Sequence, residues 1–174
     1  VTPLRHLFIV AGGIGQTPFL AVIKELRGAK YGAGRSVQRP AKISFAWGAR
    51  SADYLAIDDF HKTGVEVAVA TDDGSAGHAG LAPELLSQAL QSSDPPDAIF
   101  ACGPEPMLKR VATIAAESKT PCWVSLEQKM ACGYGVCFSC VCAVHQDDHW
   151  DYRRPCLEGP VFNAADIAWD ADTH

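Results

Sequence analysis

Five of the chain's seven cysteines fall between Cys132 and Cys156, and no other feature restricts its fold as severely. Four of them follow the pattern Cys132-x4-Cys137-x2-Cys140-x15-Cys156, the ligand spacing of a plant-type [2Fe–2S] centre. One tight loop brings three thiolates to a pair of irons, and a segment folding back supplies the fourth. Gly133 and Gly135 let that loop wrap closely and turn its amides toward sulfur. Zinc favours two C-x2-C knuckles, whereas only Cys137/Cys140 has that spacing. A Rieske centre needs two histidine ligands, and His145 and His149 lack the C-x-H arrangement. Cys142 is an extra thiol on the ligand's side of the following strand and is not expected to bind iron.

Disulfide scaffolds carry even cysteine sets spread over the fold. A dense, odd cluster in an acidic chain points instead to metal ligation in a reducing, cytoplasmic compartment. The chain has 174 residues, 48% of them hydrophobic and 20% charged, which excludes disorder and fits one domain plus a small module. With 15 Lys+Arg against 20 Asp+Glu, net charge −5 and no basic run, a nucleic-acid partner is not expected. No apolar stretch approaches the roughly 18 residues of a membrane span. The opening Val1-Thr2-Pro3 lacks the marks of a signal peptide. It also lacks a methionine, so a fragment or processed product is expected.

Upstream of the cysteines, strand and helix signals alternate. Leu7–Ala11 reads as a buried strand, followed by a helix with Thr17 as N-cap, Pro18 at the first helical position and Gly28 as its stop. Residues 29–40 read as an exposed loop. Ile43–Trp47 is a second strand, Ala52–His61 a short helix and Val65–Ala70 a third strand. Ala82–Leu90 is a helix, Ala98–Ala101 a strand, Pro104–Glu117 a helix and Cys122–Leu126 a fifth strand. Such alternation implies an α/β domain, a five-stranded parallel sheet covered on both faces, over residues 1–128. A cluster-binding module then spans 129–174, with a hairpin of Ser139–Val144 and Trp150–Arg154. The tail from Val161 to His174 reads as acidic and solvated. His6, His61, His78 and His174 read as surface residues, and Cys122 as core.

The loop Gly13-Ile14-Gly15-Gln16-Thr17-Pro18 joins the first strand to the first helix, where amide donors and a helix N-terminus can hold a pyrophosphate. Pro18 replaces the third glycine of the dinucleotide fingerprint. Two more loops lie at strand C-terminal ends, Thr71–Ser75 and Cys102-Gly103-Pro104, and they line the same crevice. Asp72 and Asp73 either hold ribose hydroxyls or simply form the turn. Cys102 either stands catalytically beside a nicotinamide or is a small residue buried at a strand end. Arg50 either faces an adenosine phosphate or is solvated. Asp72 and Asp73 disfavour the extra phosphate of NADP whereas Arg50 would welcome one; NAD is the expected nucleotide, with NADP the open alternative. A nicotinamide exchanges two electrons as hydride and a [2Fe–2S] cluster exchanges one, so a flavin is needed between them. No segment here resembles a flavin-binding barrel, and one is expected before Val1 or on a partner chain.

The motifs Gly-Gly-Ile-Gly-x-Thr-Pro (12–18), Thr-Asp-Asp-Gly-Ser (71–75), Cys-Gly-Pro-x-Pro-Met-Leu (102–108) and Ser125-Leu126-Glu127-x2-Met130-x-Cys132 through Cys140 occur in one order. In this the chain resembles the electron-transfer subunits of NAD-dependent dihydroorotate dehydrogenases, within the ferredoxin–NADP reductase superfamily. The resemblance implies an N-terminal FAD barrel, a Rossmann-like NAD domain and a C-terminal [2Fe–2S] module. It implies a heterotetramer with an FMN-containing catalytic subunit, whose electrons from dihydroorotate reach NAD+ through cluster and FAD in pyrimidine biosynthesis. It assigns Gly13, Gly15, Pro18, Asp72, Asp73 and Cys102 to the nucleotide site, and Cys132, Cys137, Cys140 and Cys156 to the cluster. The chain departs from the family pattern in lacking the barrel and in a longer segment over 28–40. Reductase subunits of sulfite reductases and hydrogenases share this architecture, though Ser125-Leu126-Glu127 favours the dihydroorotate system. A metal-stabilised, non-enzymatic binding module is the competing reading from another class.

Overall fold

The computed structural model describes residues 4–29 and 39–171. Strand β1 (His6–Gly12) is buried at all seven positions, as a central parallel strand must be when both faces are covered. Leu7 and Ile9 point to one face and Phe8 and Val10 to the other, the two-residue alternation of a pleated strand. Parallel to it on either side lie β2 (Lys42–Ala49) and β5 (Ala98–Cys102), with Leu7 opposite both Ile43 and Ala98. Beyond β2 come β3 (Glu66–Thr71) and the two-residue β4 (His78–Ala79); beyond β5 come β6 (Cys122–Ser125) and β9 (Val161–Asn163). The sheet order is β4-β3-β2-β1-β5-β6-β9, parallel except for β9.

Helix α1 (Thr17–Leu26) and the single-turn α2 (Asp58–His61) cover one face. There Phe60 stacks on Phe45 with ring centroids 4.4 Å apart; burying each ring stabilises the fold by about 1.5–3 kcal/mol. Helices α3 (Ala82–Leu90) and α4 (Glu105–Ser118) cover the other, packing Leu86, Leu108, Val111 and Ile114 against Phe8, Val10, Ile99 and Val124.

The five expected parallel strands are present, but β4 and β9 extend the sheet to seven. Each is too short to show a periodicity of its own. The helix expected over 52–61 is instead a 3-10 turn (Ala52–Tyr54), an extended Leu55 and α2. Ser75 Oγ accepts from the Ala52 amide at 2.8 Å, tying the start of this segment to the turn after β3. Thr17 does not cap α1. A 3-10 turn (Gly13–Gln16) runs directly into the helix, so Thr17 is already helical at φ −55° and its hydroxyl donates to Ile14 O at 2.6 Å. Gly28 follows the helix end as expected, whereas residues 30–38 of the expected loop lie outside the described residues.

His6 is buried rather than at the surface. Its Nε2 pairs with Ser44 Oγ at 3.0 Å and its Nδ1 with Asp94 O at 3.1 Å. Burial, helped by nearby Lys42, holds its pKa below the ordinary value. The acidic tail also departs from expectation. After the hairpin β7 (Cys142–Gln146) and β8 (His149–Arg153) and the short α5 (Pro155–Glu158), β9 returns antiparallel to β6. Val144 bridges Ile167, and Ala164 and Ile167 join Val124 and Val111 in one core. Apolar burial overrides the tail's acidic composition, and the cysteine-bearing segment is bolted to the sheet through it.

Candidate functional site: a nucleotide crevice beside a four-thiol loop

Because β1, β2, β3 and β5 are parallel, their C-terminal ends lie along one edge, with Gly12, Ala49, Thr71 and Cys102 as last residues. The N-terminal ends of α1 and α4 face the same edge, and helix N-termini attract anions. The first loop is pressed onto the last. A Cβ on Gly15 would lie 2.3 Å from Cys102 O, and one on Gly103 would lie 2.9 Å from Gly12 N. Only glycine permits two backbones to approach so closely. Trp47 Nε1 donates to Gly13 O at 3.0 Å, fixing the loop from β2. Gly13, Thr17 and Pro18 remain exposed and Gln16 half-buried, free to meet a ligand. Gly103 and Pro104 open α4 at the same crevice.

The two aspartates separate. Asp73 accepts from the Ser75 amide (2.9 Å) and hydroxyl (2.6 Å), which hold its carboxyl below the usual range. Its carboxylate therefore serves the turn, although Asp73 and Asp72 are both exposed. Arg50 is likewise exposed, and its carbonyl accepts from the Asp73 amide at 3.2 Å. Cys102 is 3% exposed, packed with the α1-face core. Burial pushes its thiol up, a hydrogen bond with Ser125 opposes this, and the Glu127 charge adds to it. The thiol is thus neutral at the crevice floor.

Ser125 lies opposite Cys102 in the sheet, and two residues later Glu127 opens the irregular segment that carries the cysteines. A cleft of about 190 Å³ reaches from Gly103 and Pro104 to Glu127 and Cys142. Cys132 is half-buried, Cys137 exposed, Cys140 buried and Cys156 half-buried at the start of α5. The thiols meet in pairs. The Cys132 sulfur accepts from the amides of Cys137 and Tyr134, then from the Cys137 thiol and the Val136 amide, which pull it down to about 6. Cys156 is hydrogen-bonded to Cys140, which raises it, while the Gly135 amide donates to it and the Cys132 charge reaches it. Among the described residues no three His, Cys, Asp or Glu side chains converge on a point that would hold a single ion. The four thiols and the amides that donate to them have the donor chemistry a [2Fe–2S] cluster requires. Cys142 is buried in the sheet core, pushed up to about 11 mainly by that burial, and its Sγ contacts Arg153 O at 3.6 Å.

One residue escaped the sequence reading. Arg154 donates to Gly135 O at 2.8 Å, lies 4.6 Å over the Phe138 ring, and contacts Glu158 through Nε at 3.4 Å. It pins the cysteine loop to α5. Its position two residues before Cys156 was the available signal, but nothing local distinguishes it from a solvated arginine.

A parallel sheet with a glycine loop at its C-terminal edge, continuous with an amide-lined cysteine loop, defines a reductase-type nucleotide domain joined to an iron–sulfur module. Residues 9–113 match the oxidoreductase NAD-binding domain, and residues 127–168 match the iron–sulfur cluster binding domain of dihydroorotate dehydrogenase B. The chain belongs to the oxidoreductase NAD-binding domain family. It is 34% identical over 163 residues to the dihydroorotate dehydrogenase B (NAD(+)) electron transfer subunit of Caldanaerobacter subterraneus subsp. tengcongensis, covering 94% of this chain and 59% of the relative. It is 38% identical over 162 residues to that of Geobacillus thermodenitrificans, covering 91% and 56%. It thus spans less than two thirds of these curated relatives. Among solved structures it resembles an NADH-dependent reduced ferredoxin-NADP oxidoreductase, described in connection with flavin-based electron bifurcation. That likeness has a TM-score of 0.79 and 28% identity, over 97% of this chain and 55% of the other. No helix among the described residues is long and apolar enough to cross a membrane.

Proposed function

We propose that this chain is the nucleotide- and cluster-binding part of an electron-transfer subunit, passing electrons from dihydroorotate oxidation on an FMN-containing catalytic subunit to NAD+ in the cytoplasm. The observation that carries the reading is the paired, amide-lined thiol set one short segment away from a nucleotide crevice. Cys132 and Cys137 would hold one iron and Cys140 and Cys156 the other, with the amides of Tyr134, Gly135 and Val136 lowering the charge on sulfur. Gly13, Gly15, Gln16, Thr17 and Pro18 would seat the pyrophosphate against α1, with Gly103 and Pro104 closing over it. Asp72 would accept from ribose hydroxyls. Cys102 would pack beneath the nicotinamide as a neutral thiol, excluding water. A flavin, when bound, exchanges hydride with nicotinamide and single electrons with a [2Fe–2S] cluster. Glu127 and Ser125 stand between crevice and cysteine loop, where they would orient what lies between.

Around the cysteines, Tyr134, Val136, Phe138 and Leu157 are exposed. An apolar rim of this kind suits a protein partner rather than bulk water, and supports the catalytic subunit docking over the cluster. The test is anaerobic reconstitution with iron and sulfide, followed by visible circular dichroism and electron paramagnetic resonance after reduction. Two irons per chain and a reduced [2Fe–2S] signal are expected; colourless, iron-free protein refutes the proposal.

A further inference from the structure

The peptide that joins Gly135 to Val136 is gripped from outside the cysteine loop. Arg154 Nη1 donates to its carbonyl at 2.8 Å, and the carbonyl and amide of one trans peptide point in opposite directions. The Val136 amide at its other end is thereby turned onto the Cys132 sulfur, to which it donates. One peptide earlier, the Gly135 amide donates to Cys156. The two peptides that meet at Gly135 therefore serve two different sulfurs, and they meet at φ +86°, a left-handed conformation that favours glycine. Past Cys137 the same guanidinium lies 4.6 Å over the Phe138 ring. Phe138 stands at φ +53°, a backbone region that bulky side chains seldom adopt, and the contact on its ring helps to hold it there. Arg154 thus braces the loop on both sides of Cys137.

The brace is itself anchored. Glu158 Oε2 accepts from the Arg154 amide at 2.9 Å and from its Nε at 3.4 Å, and Oε1 lies 3.5 Å from Arg153 Nε. One carboxylate fixes the backbone and side chain of Arg154 together, so the guanidinium is aimed rather than free. The side chain is 25% exposed, and its charge is screened less than that of a solvated arginine. We propose that Arg154 is a positioning residue for the cluster: by holding the Gly135–Val136 peptide it keeps two amides on sulfur, and with its charge it makes the site easier to reduce. The inference rests on the function proposed above, in which these four thiols carry a [2Fe–2S] centre, and adds which residue sets its potential. Two effects act in one direction. A carbonyl that accepts from a cation polarises its peptide and strengthens the amide donor at the other end. Reduction adds one negative charge to the site, which amide donors and a nearby cation both favour.

The test is a redox titration of reconstituted full-length protein, followed by electron paramagnetic resonance, with Arg154→Ala, Arg154→Gln and Arg154→Lys beside wild type. At the potential where wild type is half reduced, the reduced-to-oxidised ratio is expected to fall about tenfold in Arg154→Ala, which for a one-electron couple is about 59 mV. Arg154→Gln keeps a donor for Gly135 O without the charge and falls less. Arg154→Lys keeps both a donor and the charge, though not the fork geometry, and falls least. A residue that only stabilised the loop would lower Tm and iron retention while leaving the potential of the assembled clusters unmoved. Where Arg154→Ala holds too little iron to titrate, Arg154→Gln against Arg154→Lys decides. Equal potentials in wild type and Arg154→Gln, each with two irons per chain, overturn the assignment. Wild-type protein that assembles no two-iron cluster overturns the functional proposal instead.

Discussion

Replacing Gly15 with alanine tests whether the two crevice loops are held together by backbone contact. The added Cβ would sit 2.3 Å from Cys102 O, 2.5 Å from Cys102 C and 2.7 Å from Gly103 N. Ordinary contact begins near 3.4 Å, so the loops would have to separate by about 1 Å. All three neighbours are main chain at the end of a buried strand and cannot rotate away. Overpacking of this kind costs about 2–3 kcal/mol, and for a chain of this size each kcal/mol lowers Tm by about 2–4 °C. The expected fall is therefore roughly 4–12 °C by thermal circular dichroism, with weakened NADH binding by Trp47 fluorescence, since Trp47 holds the same loop. Gly13→Ala is the control. Its Cβ would meet nothing within 4 Å, although φ is +54°, so only the left-handed backbone cost of about 1–2 kcal/mol applies. A Gly15→Ala protein as stable as wild type, or less affected than Gly13→Ala, refutes the contact argument.

Cys137→Ser and Cys156→Ser, one from each thiol pair, are each expected to abolish the visible spectrum of reconstituted protein while leaving nucleotide affinity intact. Either variant keeping full iron content would remove that residue from the ligand set. Arg154→Ala releases the pin between Gly135 and α5 and is expected to cost about 1–3 kcal/mol, the loss of a charge-assisted hydrogen bond and a cation–π contact. Faster bleaching under a chelator is its readout, and an unchanged rate counts against the pin. Because His6 has a folded pKa below its unfolded value near 6.5, the unfolded chain takes up the proton first as pH falls. The stability it contributes is full above that value and is lost as pH drops below it. The fall in Tm from pH 7 to pH 5 should be steeper in wild type than in His6→Gln, and equal slopes would dismiss the assignment.

Much of this protein is legible before folding is considered. The spacing from Cys132 to Cys156 is a statement about which thiols can share a pair of irons, and it holds in any fold that lets the loop close. The apolar runs around Ile9, Phe45 and Ile99 have to be central parallel strands because no other placement buries both of their faces. The glycines before Thr17 have to form a tight turn. These are local properties, set by side-chain chemistry and by the conformations one backbone allows. What lay hidden depends on distant neighbours. Ser75 ties the start of the 52–61 segment to a distant turn, and Ser44 with Asp94 draws His6 inside. Of two adjacent exposed aspartates, it is the Asp73 carboxylate that Ser75 engages in the turn. The tail is drawn back onto the sheet because Ile167 and Ala164 find a core made with Val111, Val124 and Val144. Arg154 matters only because Gly135 comes within its reach.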